Sequence, residues 1–346
     1  MTEALDPFQL CSLPQPDPFE LPAGIGEPRA EAIRLLANKW DNGTTLSFHF
    51  LQSPEWDWPE AQKDVVRRAF EAWKNIGMGL NFRETPTANG ATLLIGRLQD
   101  GRSWSWVGTD VLRYRDKGRN MNFGWDLTTD WGGATALHEI GHAIGLPHEH
   151  QNPKSGIVWN EAAVLAYYQG PPNKWKEPAI RQNILNKLDL AEVEGSNWDM
   201  RSIMHYPFKA GLISAPPECA GGTPPNYIMS ANDIAWVVRF YPLLGNGTPI
   251  AVGDTAALPR SPGAQAAFAF TANESREHIV ATRGQSDARL ILYERRGQRW
   301  AVIAEADDYA RDLNAEIRVP LTKGNEYLVA ARTYFAEADE YLLAIE

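Results

Sequence analysis

Five residues within an eleven-residue run have the types and spacing of a hydrolytic metal centre. His138, Glu139, His142, Gly145 and His148 follow the pattern H-E-x-x-H-x-x-G-x-x-H. Positions four apart share a helix face, so the imidazoles of His138 and His142 can point at one place. Gly145 tolerates the positive φ that ends a helix sharply. The chain can then turn back and bring His148 in as a third nitrogen. Three protein ligands plus a water is the open arrangement of a catalytic zinc site. Glu139 follows a ligand directly and can reach that water as a general base. Two histidines four apart are common, but a glycine and a third histidine at fixed offsets make the pattern specific.

A second run, Ser202-Ile203-Met204-His205-Tyr206, lies downstream. Taken alone, Met204 would be a core methionine and Tyr206 a buried tyrosine with a bonded hydroxyl. Taken with the histidine motif, the run resembles the metzincin zinc peptidases, and most of all the astacin group. That resemblance implies that Met204 lies in a tight turn beneath the zinc. It implies that Tyr206 is an additional, displaceable zinc ligand that also hydrogen-bonds the tetrahedral intermediate. It makes Glu149 a residue behind the ligands, one that in astacins meets the buried amino terminus of the mature chain. Lys39-Trp40-Asp41-Asn42-Gly43 resembles the start of mature astacin domains, and Met121-Asn122-Phe123-Gly124 the strand before their zinc helix. Two departures stand out. Astacins usually carry two disulfides, whereas this chain has only Cys11 and Cys219, and His150 replaces the glutamine expected after the H-E pair. An exposed side chain is expected for His150.

The expected reaction is hydrolysis of internal peptide bonds of a protein or peptide substrate, with one catalytic zinc ion. Two other readings compete: a zinc-binding protein without proteolysis, and a zinc hydrolase of a non-peptide amide. The intact Glu139 argues against the first. Arg201 or Lys209, near the Met-turn, could favour an acidic residue after the scissile bond. A formal net charge of −10 disfavours nucleic acid or an anionic membrane as partner. No apolar run reaches the roughly 18 residues of a membrane span, and a monomer is expected. The opening Met-Thr-Glu-Ala-Leu-Asp-Pro has neither a basic region nor an apolar core, so no signal peptide is visible. The family resemblance instead implies secretion. Two cysteines make no disulfide framework. A Cys11–Cys219 bridge and a pair of reduced thiols both remain open. Cys11 could also coordinate the zinc and hold the enzyme latent, with Asp6 and Asp17 as rival switch residues.

These residues need elements to position them. The 346-residue length suggests two domains. Residues 1–36 are a proline-rich N-terminal segment, either a surface arm or an inhibitory segment in the cleft, with a short helix at 29–37. Residues 37–243 read as an α+β, zincin-like peptidase domain with a twisted mixed sheet. Strands are expected at 45–51, 80–84, 92–98, 103–107 and 119–125. His49 is expected to be a satisfied strand residue, and the strand at 103–107 could pair with a peptide substrate. A helix is expected over 60–76, with Val66, Phe70 and Trp73 on its apolar face, and Thr129 or Asp130 can cap the zinc helix. Residues 151–200 read as polar and irregular, with a helix near 178–190. Ser230-Ala231-Asn232-Asp233 has the form of a capping box opening a closing helix. After a linker at 244–249, residues 250–346 read as an all-β sandwich with strands at 265–271, 278–283, 289–295, 300–305, 315–320, 326–332 and 340–345. Asp307 and Asp308 could bind calcium, which is not claimed.

Overall fold

A computed structural model describes residues 9–17 and 38–346, apart from 55, 172, 189–196, 261–262, 285, 298, 310–311 and 337–340. The described residues form two compact units: 9–17, 38–40 and 44–242 in one, 41–43 and 243–346 in the other. The helix expected at 29–37 lies outside the described residues, as does Asp6.

The first unit is built on a five-stranded sheet. Its strands are β1 (Thr45–Phe50), β2 (Asn81–Glu84), β3 (Leu93–Gly96), β4 (Trp104–Ser105) and β5 (Met121–Asn122), in the order β2-β1-β3-β5-β4. Every pair is parallel except β4–β5, which is antiparallel. Parallel neighbours need a crossover, and α1 (Glu60–Asn75) supplies it between β1 and β2. Alternation along β1 puts Leu46, Phe48 and Phe50 into the core. Phe48 stacks on Phe70 of α1 with ring centroids 4.2 Å apart. His49 faces the other way, and its Nδ1 lies 2.9 Å from the Thr85 carbonyl, as a satisfied strand residue should.

The motif helix, α2 (Asp130–Ala143), is capped by Thr129, whose hydroxyl accepts the Gly132 N–H at 3.0 Å. It packs on α1, where Trp73 Nε1 donates to the Leu137 carbonyl at 2.9 Å. Beyond the motif, a second apolar cluster contains Val164, Tyr168, Trp175, Ile184 and Phe208. Helix α3 (Glu161–Gln169) contributes to it and was not expected. The helix expected near 178–190 is shorter: a turn at Glu177–Ile180 running into a wider π turn at Arg181–Leu185. The expected capping box opens α4 (Ala231–Phe240).

The second unit is a β-sandwich of two five-stranded sheets. Phe268, Phe270, Leu290, Leu292 and Val329 from one sheet and Val280, Ile317, Leu343 and Ile345 from the other form its core. Each of the seven expected strands is present. Three short edge strands add to them: Thr248–Pro249, Thr255–Ala257 and Asp308–Tyr309. Residues 41–43 belong to this unit. Asp41 lies 3.1 Å from Arg332 and 3.0 Å from Arg289, and the Tyr293 hydroxyl donates to the Asn42 carbonyl at 3.0 Å. Among the described residues no helix is long and apolar enough to cross a membrane.

Candidate active site

The end of α2 has the geometry that its glycine predicts. Gly145 has φ of +98°. Its N–H bonds the His142 carbonyl at 2.8 Å, and Leu146 N–H bonds the Gly141 carbonyl at 2.9 Å. This paired closure is a Schellman motif. It reverses the chain and brings His148 against the two helical histidines. His142 Nε2 lies 3.0 Å from His138 Nε2 and 3.2 Å from His148 Nε2.

The outward nitrogens settle which tautomer each ring adopts. Nδ1 of His138 faces the Ile203 carbonyl at 2.8 Å, and Nδ1 of His142 faces the Leu146 carbonyl at 2.7 Å. Nδ1 of His148 faces Gln151 Oε1 at 3.3 Å. A carbonyl can only accept, so each Nδ1 carries the proton and each Nε2 presents a lone pair. Burial lowers the pKa of His138 to about 4. Burial and the neighbouring histidines push His142 and His148 well below the ordinary imidazole range. Three neutral lone pairs facing one another, with no proton to share, form a donor set that a cation fits. Cys11 Sγ completes the group: its ligand atom and those of the three histidines all lie within 4.8 Å of one another.

Glu139 is fully buried among these groups, and burial raises its pKa well above the ordinary carboxylate range. Its Oε2 accepts the Cys11 thiol at 3.5 Å, while Oε1 is buried without a hydrogen-bond partner. Met204 packs directly beneath the helix, and a Cβ placed on Gly141 would collide with its sulfur. The Met204 carbonyl accepts the Glu149 N–H at 3.0 Å, tying the turn to the residue after the third histidine. Glu149 Oε1 accepts from Asp199 N–H at 2.9 Å and Asn152 Nδ2 at 3.2 Å, and burial pushes its pKa up to about 7. The Met-turn is fixed to α4 through Asp233, which accepts Ser202 Oγ at 2.6 Å and Ile203 N–H at 2.8 Å.

Residues 9–13 lie in the cleft. Trp131 Nε1 donates to the Gln9 carbonyl at 3.1 Å, and the Tyr206 hydroxyl donates to the Cys11 carbonyl at 2.6 Å. Ser12 N–H bonds the Ser103 carbonyl beside edge strand β4 at 3.0 Å, and Leu13 N–H bonds Asn183 Oδ1 at 2.9 Å. Leu10 and Cys11 are each only 5% exposed, so this stretch is not a surface arm. Asp17 bonds the Tyr114 hydroxyl and is no part of the histidine group.

The model of the astacin peptidase family matches residues 32–214, more than half of the chain. The chain belongs to the astacin family. Its members are zinc-dependent metallopeptidases, which makes protein the substrate of this astacin chain. A solved structure titled "Structure of myroilysin" is 29% identical, with a TM-score of 0.54, and covers 60% of this chain and 97% of that one. Another, "Crystal structure of myroilysin", is 24% identical with a TM-score of 0.47, covering 69% and 92%. No curated protein sequence matches.

Several sequence expectations for this astacin need correction. His150 is not exposed: it is fully buried, with Nε2 2.8 Å from the Asn183 carbonyl and its ring 4.7 Å from that of Tyr206. Burial of this site depends on residues some thirty positions away, which no local pattern reveals. Cys11 and Cys219 are both free thiols; Cys219 packs 4.0 Å from Met200 Sδ. Sequence reasoning missed Trp131, Asn183 and Gln151. Only Gln151 carried a local signal, three residues after His148.

Proposed function

We propose that the chain is a zinc-dependent endopeptidase held latent by its own N-terminal segment. The convergence of three histidine lone pairs beside Glu139 carries this reading. His138, His142 and His148 would hold the zinc ion, which would supply an activated water with a pKa of about 7 and a Lewis acid for the scissile carbonyl. Glu139 takes the proton of the attacking water. It delivers that proton to the amine nitrogen as the C–N bond breaks. Tyr206, once released from the Cys11 carbonyl, would donate its hydroxyl hydrogen bond to the developing oxyanion. Met204 and Glu149 act through others, by supporting the helix and the turn that carry the ligands.

The path of residues 9–13 favours internal bonds. Main-chain contacts flank Cys11 on both sides, at Gln9 and at Ser12 and Leu13. A cleft that holds chain on both sides of the metal group accepts the middle of a polypeptide. The same path supports latency, because a thiolate is a strong zinc ligand and Cys11 Sγ is grouped with the three histidines.

The test is cleavage of an unfolded protein by the zinc-loaded full chain, the Cys11→Ala chain and the Cys11→Ala/Glu139→Gln chain. Cys11→Ala should raise activity. Adding Glu139→Gln should lower it by about 10²–10⁴-fold while zinc stays at one per chain. Zinc-loaded chains that are all equally inert would reject the peptidase reading in favour of a binding protein. Turnover of small acyl amides alone would favour the non-peptide hydrolase.

A further inference from the structure

We propose that Asn183 is a specificity-determining residue of the cleft. Its side-chain oxygen takes a main-chain N–H of the extended substrate from the wall opposite edge strand β4, so one position beside the scissile bond must carry an N–H. This rests on the peptidase reading. Asn183 lies in the π turn Arg181–Leu185 and is 1% exposed. Wider turns of this kind are frequent at functional sites. The amide has one orientation. Its Nδ2 is 3.0 Å from the Ala179 carbonyl, which can only accept, so Nδ2 donates there. Oδ1 is left facing the cleft, where it accepts the Leu13 N–H at 2.9 Å.

The π turn is tied to the histidine group. His150 Nε2 donates to the Asn183 carbonyl at 2.8 Å. Gln151 Nε2 donates to the Gln182 and Asn186 carbonyls at 2.7 and 2.8 Å, while its Oε1 faces His148 Nδ1 at 3.3 Å. The Leu188 N–H bonds the Gln151 carbonyl at 3.0 Å. Asn183 Oδ1 therefore stands at a fixed place relative to His148, and the buried His150 is a positioning residue for it. Residues 9–17 run without helix or turn. Ser12 and Leu13 are neighbours, yet their N–H groups go to different walls: Ser12 to the Ser103 carbonyl beside β4, Leu13 to Asn183. An extended chain, read in either direction, presents its main-chain groups in this way, with alternate residues facing alternate sides. When the segment leaves, Oδ1 loses its donor, and a buried oxygen without one is costly. A substrate restores the bond only with an N–H, which proline lacks.

The experiment uses the zinc-loaded, full-length Cys11→Ala chain in two arms. In the first, a cleaved peptide is compared with copies N-methylated at one residue at a time on both sides of the scissile bond. Two adjacent positions should be sensitive, one for each wall, each raising KM by about threefold to tenfold. Adding Asn183→Ala should abolish the penalty at one of that pair and leave the other in place. A purely structural Asn183 would weaken cleavage of every peptide alike and leave both penalties intact. In the second arm, peptides carrying a hydroxamate at either end undergo the same N-methyl scan in calorimetry, which needs no turnover. The same pair of positions should each weaken Kd by about threefold to tenfold. No cleavage with that binding pattern intact would reject the peptidase reading and keep the role of Asn183. Penalties at every second position only, the mark of a chain held by β4 alone, would overturn that role even without the Asn183 variant. So would a pair of penalties that Asn183→Ala leaves unchanged in either arm.

Discussion

Gly141 lies between His138 and His142, where Met204 leaves no room for a side chain. A methyl group there must push the buried Met204 side chain aside, and overpacking of this kind costs about 1–3 kcal/mol. Gly141→Ala should lower the unfolding free energy from urea titration by that amount, and a variant as stable as wild type would show that the Met204 side chain yields freely. Tyr206→Phe removes a single donor. It should retain zinc at one per chain and, in the Cys11→Ala background, lose about 10²-fold in kcat. Unchanged kcat would remove Tyr206 from the reaction. The histidine group was legible because each member sits at a fixed local offset from the next. The acceptors that fix its tautomers were less so: Leu146 and Gln151 are near in sequence, but Ile203 is 65 positions from His138. Cys11 was legible only as a type of atom that zinc favours, since its place in the group depends on a fold 128 residues away from Glu139.

Helix and strand positions were legible where periodicity was strong. Helix α1 carries a regular apolar face and was expected within a residue or two of its observed bounds. Strands β4 and β5 are only two residues long, because their alternation runs beyond the part that pairs. Helix α3 escaped notice because its buried Val164 and Tyr168 pack on residues brought from elsewhere, with little amphipathic pattern of their own. The junction between Met-turn and α4 offers a test at this scale. Asp233 accepts from Ser202, Ile203 and Ser230, and an asparagine has a single oxygen to serve them. Asp233→Asn should cost about 1–3 kcal/mol. Burial, the largest influence on it, raises the Asp233 pKa. The folded chain therefore binds this proton more tightly than the unfolded one. Stability from this group is greatest below the unfolded pKa and declines as pH rises through the raised folded value. Asp233→Asn should remove that portion of the slope in melting temperature against pH; an identical slope would contradict it.

Across the whole molecule, the division into a mixed α+β unit and a β-sandwich was legible from the change in pattern near the 244–249 linker. The assignment of residues 41–43 to the sandwich was not, because it rests on pairings with Arg289, Arg332 and Tyr293 about 250 to 290 positions away. Asp41 has a consequence for stability. Arg332 is 4% exposed, and Asp41→Ala takes away one of its charged partners. The change should destabilise the sandwich by up to about 3 kcal/mol, seen as an earlier calorimetric transition; a change below about 0.5 kcal/mol would contradict it. The histidine tautomers also determine what zinc loading does to the surrounding buffer. All three rings are neutral and keep their Nδ1 protons, so they surrender none when the metal arrives. Cys11 differs, since burial and Glu139 hold its thiol protonated at neutral pH, and a thiol must lose its proton to bind a metal. Titrations at about pH 5.5, below the pKa of about 7 of the zinc-bound water that would replace the thiolate, in buffers of different ionisation enthalpy should therefore count about one more proton released per zinc from the full-length chain than from Cys11→Ala. On the proposed latency the N-terminal segment carries an acid equivalent of its own, and equal counts from the two chains would contradict it.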